Sequence, residues 1–368
     1  MSDTKFCVFC GRPPESKSRE HVLPQWLLRL TGDPNRTVSM GYSYKGKREI
    51  SFSWSSLVTP ACESCNNEYA SLESEVRPIL EAILERQSLP VSKYCVLLDW
   101  LDKVRVGLWL NYHHLMGNPT EIKPSFFVGS RMRKKDRFVS IYPMKGSAKG
   151  LNAYGVETLS FHAAPTAFGL RVNNLFIVNC SSDYIFSGRC GLPYPTSMHF
   201  QLDGENHGCL QLGEFKATQK IKSPLFGFKL HKPAISLFQP IMQNAITDSD
   251  HESLPLGVGL MDKAYLLEST IQGDQLGVGK IYRQFKDCVV RLDDGETLIE
   301  FDDIKGSECR AAGRLIAQVY ELQTFLQALY TPLTCSLEVR NSWDQRQKLL
   351  KKLNKDASSS YIRASSQR

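Results

Sequence analysis

Apolar residues at Leu97, Leu101, Val104, Leu108 and Leu115 recur at the 3.6-residue period, which predicts a long amphipathic helix over 94–117 that stops at Gly117. Upstream, "PQWLLRL" predicts a short helix in which Trp26 packs rather than stacks on bases, and residues 67–86 continue a helix that Pro78 kinks and "LP" at 89–90 ends. Between these helices, "SYKGKREISFSW" alternates around a tight "KGK" turn and predicts a β-hairpin. From 122 to 232 the period changes again. Short apolar runs such as "SFFVG", "RFVSIYP", "FGLRVNNLFIVNC" and "PLFGFKL", separated by Gly and Pro, predict a mostly β region. Residues 275–306 alternate around the turn "DDGET" and predict a small β-barrel module or an outer hairpin, with the acids at its turn and solvated side. Residues 308–355 read as helical, and "KDASSSYIRASSQR" as a frayed tail.

These elements predict an α+β fold. The expected divisions are a compact module over 1–90, a linking amphipathic helix over 91–120, a mostly β domain over 121–306 and C-terminal helices with a basic tail over 307–368. No internal repeat is present. With 368 residues, 42% hydrophobic and 23% charged, the chain has the composition of a globular protein able to bury a substantial core. Its most apolar stretch, "VLLDWLDKVRVGLWL", is interrupted by Asp99, Asp102, Lys103 and Arg105 and is not a membrane span. No secretory leader is recognisable at the N-terminus, so the expected location is cytoplasmic, with its thiols reduced.

The net charge of +7 is uneven. Residues 91–232 hold 18 Lys/Arg against 9 Asp/Glu, so a polyanion would dock most favourably there. The densest basic run is "RMRKKDR", and Arg131, Arg133, Lys134 and Lys135 are its candidate backbone contacts, independent of base sequence and sensitive to salt. Lys45, Lys47 and Arg48 at the expected hairpin tip are further candidates.

Four of the eleven cysteines form two C-x-x-C pairs, "CVFC" at Cys7 and Cys10 and "CESC" at Cys62 and Cys65. Two such knuckles complete a tetrahedral four-thiolate shell for structural zinc, and the 51 intervening residues are no obstacle because loop-closure cost grows slowly with length. Gly11 suits the knuckle turn, where a positive φ is needed. Such a shell has no open position, so any chemistry must come from what it staples together. The other seven cysteines read as small buried apolar residues.

The staple joins "SREHVLPQWL" to "CESCNNEYASLE". The order C-x-x-C, acid-His-hydrophobic-x-Pro, then C-x-x-C-Asn entering a helix resembles the HNH endonucleases of the ββα-metal (His-Me finger) superfamily, in the zinc-stapled subgroup. The resemblance covers about the first 85 residues. It implies a ββα-metal nuclease domain, a phosphodiesterase with His21 as general base, and Glu20 and Asn66 as ligands of a catalytic Mg2+ or Mn2+. Helical spacing puts Asn66, Ala70, Glu73 and Arg77 on one face, making Glu73 a further ligand candidate and Arg77 a phosphate contact. Hard oxygen donors suit such an ion, and a neutral imidazole can take a proton from water at cellular pH.

The chain departs from the family pattern twice. Glu20 stands where Asp is usual, and the middle Asn of the motif is replaced around "SWSSL", where Ser55 or Ser56 is expected to hydrogen-bond the backbone that carries His21. The expected substrate is nucleic acid, DNA in the first instance, and the C-terminal region is left to choose a substrate, a protein partner or a second copy of the chain. The resemblance does not choose among restriction, phage defence and mobile-element roles. The competing readings are a zinc-knuckle nucleic-acid-binding protein without cleavage, and a structural or interaction protein whose zinc only closes the N-terminal module.

Overall fold

The computed structural model describes residues 6–16, 18–42, 49–116, 127–133, 136–146, 149–182, 194–195, 198–202, 208–212, 215–216, 232–239, 280–285, 289–302, 312–328, 331–332 and 337–366. Helix and sheet are mixed, as an α+β reading requires. Near the N-terminus, β1 (Arg19–His21) pairs antiparallel with β4 (Val58–Pro60) in the register Arg19↔Pro60, Glu20↔Thr59, His21↔Val58. Between them lie the short helix α1 (Gln25–Leu30) and a hairpin of β2 (Thr37–Tyr42) with β3 (Glu49–Ser53). The strands of that hairpin follow the expected alternation; its tip, with Lys45, Lys47 and Arg48, lies outside the described residues. Helix α2 (Glu63–Leu84) starts at the second cysteine pair and runs through Pro78. Trp26 packs against the core.

After β5 (Leu89–Pro90) comes α3 (Val91–Met116), and here the sequence misleads. The apolar stripe predicts an amphipathic linker, but every residue from Leu97 to Asn111 is buried, including Asp99, Asp102, Lys103 and Arg105. A helix buried on all sides must lie between two layers. One side of α3 packs on α2 and β4, the other on the central sheet, and a single apolar cluster runs from Cys7 through α3 to Ile299. Residues 97–111 are therefore core, and among the described residues the apolar cluster continues across residue 90.

The short helix α4 (Val128–Arg131) occupies part of "SFFVG", where a strand was expected: Val128 N–H donates to Val8 O and Gly129 N–H to Phe9 O, so the segment is anchored to the first knuckle instead. The central sheet has seven antiparallel strands. In chain order these are β6 (Asp136–Pro143), β7 (Leu151–Tyr154), then, after α5 (Leu159–Ala163), β8 (Ala167–Val172) and β9 (Leu175–Ser182). Small strands β10 (Tyr194–Pro195), β11 (Met198–Leu202), β12 (Gly208–Leu212) and β13 (Phe215–Lys216) follow, outside this sheet. The sheet is completed by β14 (Ile235–Gln239), β15 (Ile281–Gln284) and β16 (Val289–Leu292), in the spatial order β16-β15-β14-β6-β9-β8-β7.

Strand period 2 sorts the two faces. Val139, Ile177 and Leu237 face the cluster of α3, while Phe138, Phe176, Val178 and Phe238 face a second cluster built on α6 (Ala312–Ala328). Burial on both faces explains the nearly continuous apolar run of "FGLRVNNLFIVNC". The edge hairpin is β15–β16, and the "DDGET" turn does not close a hairpin: β17 (Leu298–Ile299) beyond it pairs with β5. The next strand, β18 (Thr331–Pro332), joins β11 in parallel.

The expected frayed tail is helical. Helix α7 (Leu337–Ser366) packs along α6, burying Leu350, Asn354 and Ser358 at helical spacing and stacking Tyr361 on Tyr320 at 5.8 Å. Serine-rich composition concealed that stripe. No helix among the described residues is long and apolar enough to cross a membrane.

Candidate functional site

The four knuckle cysteines converge. Their Sγ atoms all lie within 4.8 Å of one another, and Cys10 Sγ stands 3.9 Å from Cys62 Sγ. A tetrahedral ion with bonds of about 2.3 Å separates its sulfurs by about 3.8 Å, so the site fits a metal ion such as zinc. Local turns build it: Gly11 N–H donates to Cys7 O at 2.9 Å with Gly11 at φ +76°, Cys7 N–H donates to Arg12 O, and Cys62 N–H donates to Cys7 Sγ at 3.2 Å. A Cβ at Gly11 would also strike the Phe127 ring, so only glycine serves there.

Crowding four thiols splits their protonation. Burial opposes ionisation of Cys10, but hydrogen bonds from Arg12 outweigh it and lower its pKa to about 7. Burial and then the neighbouring charge of Cys7 push Cys65 up to about 12. A bound divalent ion would remove that conflict by stabilising all four thiolates. Four sulfurs would close the shell of a bound ion and leave no position on it for water or substrate.

On β1 next to this clamp, Glu20 is buried and His21 half-buried. Val22 N–H donates to Leu57 O, and buried Asn111 of α3 donates through Nδ2 to Val58 O at 3.2 Å, bracing the strand opposite His21. Neither serine expected to brace that backbone does so: Ser55 Oγ bonds Asn35 and Ser53, and Ser56 Oγ donates to Ser53 O. Their 3-10 turn aims them back along β3, leaving the bracing to Asn111.

The His21 ring receives the Gln25 amide, 3.2 Å from Nε2. Burial is the main influence on the imidazole and lowers its pKa from 6.5; Lys103 adds to that and Glu73 opposes it. Glu20 is shifted upward by burial, against the pull of Lys103. Both Glu20 Oε1 and Glu73 Oε1 accept from Lys103 Nζ, which is buried at 3% exposure on α3. Asn66 caps the arrangement weakly, donating from Nδ2 to Ser18 Oγ at 3.4 Å.

Glu20, His21 and Glu73 thus share one neighbourhood, with Asn66 at the adjoining start of α2. As arranged, Glu20, Asn66 and Glu73 do not fit a divalent ion, because Lys103 holds an oxygen of each acid; among the described residues the group of three or more His, Cys, Asp or Glu side chains placed to take a metal is the four cysteines. Lys103, Asn111 and Gln25 escaped the sequence reading. The signal for Lys103 was a lysine among the charged residues, with Asp99, Asp102 and Arg105, that interrupt an apolar helical stretch.

The candidate nucleic-acid contacts are placed variously. Arg77 is exposed and pairs with Glu81, Arg131 ends α4, and Arg133 donates to Asp99 of α3, while Lys134 and Lys135 lie outside the described residues. Comparison with family models, curated proteins and solved structures finds no match for this chain.

Proposed function

We propose that this protein is a zinc-stapled nuclease of HNH type, hydrolysing phosphodiester bonds in nucleic acid, with DNA as the first substrate to test. The observation that carries the reading is the half-buried His21 on a strand pair held between a four-cysteine clamp and α3, beside Glu73 and Lys103. An imidazole held neutral by burial is suited to accept the proton of an attacking water. Gln25 beside the ring limits its rotation. The Lys103 ammonium offsets part of the charge of Glu20 and Glu73, which lessens the repulsion a phosphate would meet beside His21.

The test is supercoiled plasmid incubated with purified protein, with and without Mg2+ or Mn2+, beside His21→Ala. Nicking by wild type that the variant loses supports the reading, and nicking that persists in the variant overturns the assignment of the base. A second reading, nucleic-acid binding without cleavage, is favoured by one observation: both acids next to His21 already share Lys103 as their partner. Retardation of DNA without nicking under any of these conditions would select it.

A further inference from the structure

Three elements converge on one ammonium group. Glu20 comes from β1, Glu73 from α2 and Lys103 from α3, and Lys103 Nζ donates to both carboxylates while lying 5.9 Å from the centroid of the Phe9 ring. The side chain of Lys103 is 3% exposed, against 11% for Glu20 and 20% for Glu73, so the cation is the most deeply buried member of the group. A buried ammonium needs partners for its charge, and these two acids supply them.

We infer that Lys103 is the resident cation of this centre: its ammonium fills the position between Glu20 and Glu73 and keeps a divalent ion out. Two carboxylates drawn from separate elements supply the hard oxygen donors that Mg2+ or Mn2+ prefers. In this chain the position is filled by a covalently tethered charge. An ion bound to the same oxygens would sit within a few ångströms of Nζ and meet like-charge repulsion in a poorly solvated site. The inference rests on the nuclease reading only for naming the ion displaced; the charge arrangement stands without it.

The test is a titration of the zinc-loaded full chain with Mn2+, followed by the electron paramagnetic resonance signal of free Mn2+, so that no cleavage is needed. Replacing the ammonium with the uncharged chain of Lys103→Met is expected to create one Mn2+ site, tighter than any in wild type by about ten-fold or more. Adding Glu73→Gln to that variant is expected to remove the gain. Equal binding by wild type and Lys103→Met, or a gain that survives Glu73→Gln, would overturn the inference. Should Lys103→Met fail to fold, wild type and Glu20→Gln still decide: a tight Mn2+ site in wild type that Glu20→Gln abolishes overturns it, and no such site in wild type upholds it. Loss of nicking in His21→Ala judges the nuclease reading separately, so either proposal can fail alone.

Discussion

Arg137 at the start of β6 donates through Nη1 to Asp99 Oδ1 of α3 at 2.6 Å, with both side chains at most 3% exposed. The same nitrogen reaches Asp102 Oδ2 at 3.0 Å, and Arg105 joins Asp102 to Asn179 of β9. This network ties the central helix to the sheet behind it. Removing one partner leaves an uncompensated buried charge, so Arg137→Met is expected to cost about 3–5 kcal/mol in urea denaturation. A loss under about 1 kcal/mol would mean that the network is not closed as described.

The cysteine clamp makes a stoichiometric prediction. Purified protein is expected to carry about one zinc per chain, and Cys62→Ser to lose it together with the stability of the first ninety residues, because binding energy there is folding energy. Metal analysis and thermal unfolding read the two effects. Cys95→Ser, outside the cluster, is the control and should keep its zinc.

His21 tests chemistry apart from folding. Its ring is half-buried and among the described residues its hydrogen-bond partner is Gln25, so His21→Ala should change stability by no more than about 1 kcal/mol. Loss of a general base should slow nicking by about 10²–10⁴-fold. A large drop in melting temperature would show that any lost activity reports unfolding instead.

Gly313 offers a test by sign. An alanine for glycine in a helix ordinarily stabilises by roughly 0.5–1 kcal/mol. At Gly313, however, a Cβ would lie 2.1 Å from the Tyr361 carbonyl oxygen of α7. Gly313→Ala is therefore expected to destabilise by about 1–3 kcal/mol, through forced separation of α6 and α7. Stabilisation on thermal unfolding would contradict that packing, and with it the helical C-terminus.

What the sequence determined by itself is local. Thiol spacing in "CVFC" and "CESC", positive φ at Gly11, the β2–β3 alternation and the helical stretches around Leu80 and Leu101 depend on neighbours a few residues away, and the structure agrees at each. Where a stretch depended on a distant partner, the pattern misled. The "DDGET" segment looks like a hairpin because alternation does not say which strand will be the neighbour, and β17 finds β5 some 200 residues earlier in the chain. The serine-rich end reads as frayed because the packed face of α7, buried Leu350, Asn354 and Ser358 with half-buried Tyr361, is only partly apolar.

The tertiary structure alone decided the fate of α3. Its charged residues make it read as amphipathic, since a sequence does not record what will neutralise Asp99, Asp102 or Lys103. Burial between two layers supplies the answers: Arg137 of β6 on the sheet side, beside Arg105 of the helix itself, and Glu20 and Glu73 on the other. The physical reason is that charge is tolerated in a core only when it is paired. The pair that matters most for the candidate site, Lys103 with Glu20, spans 83 residues, beyond the reach of any local pattern.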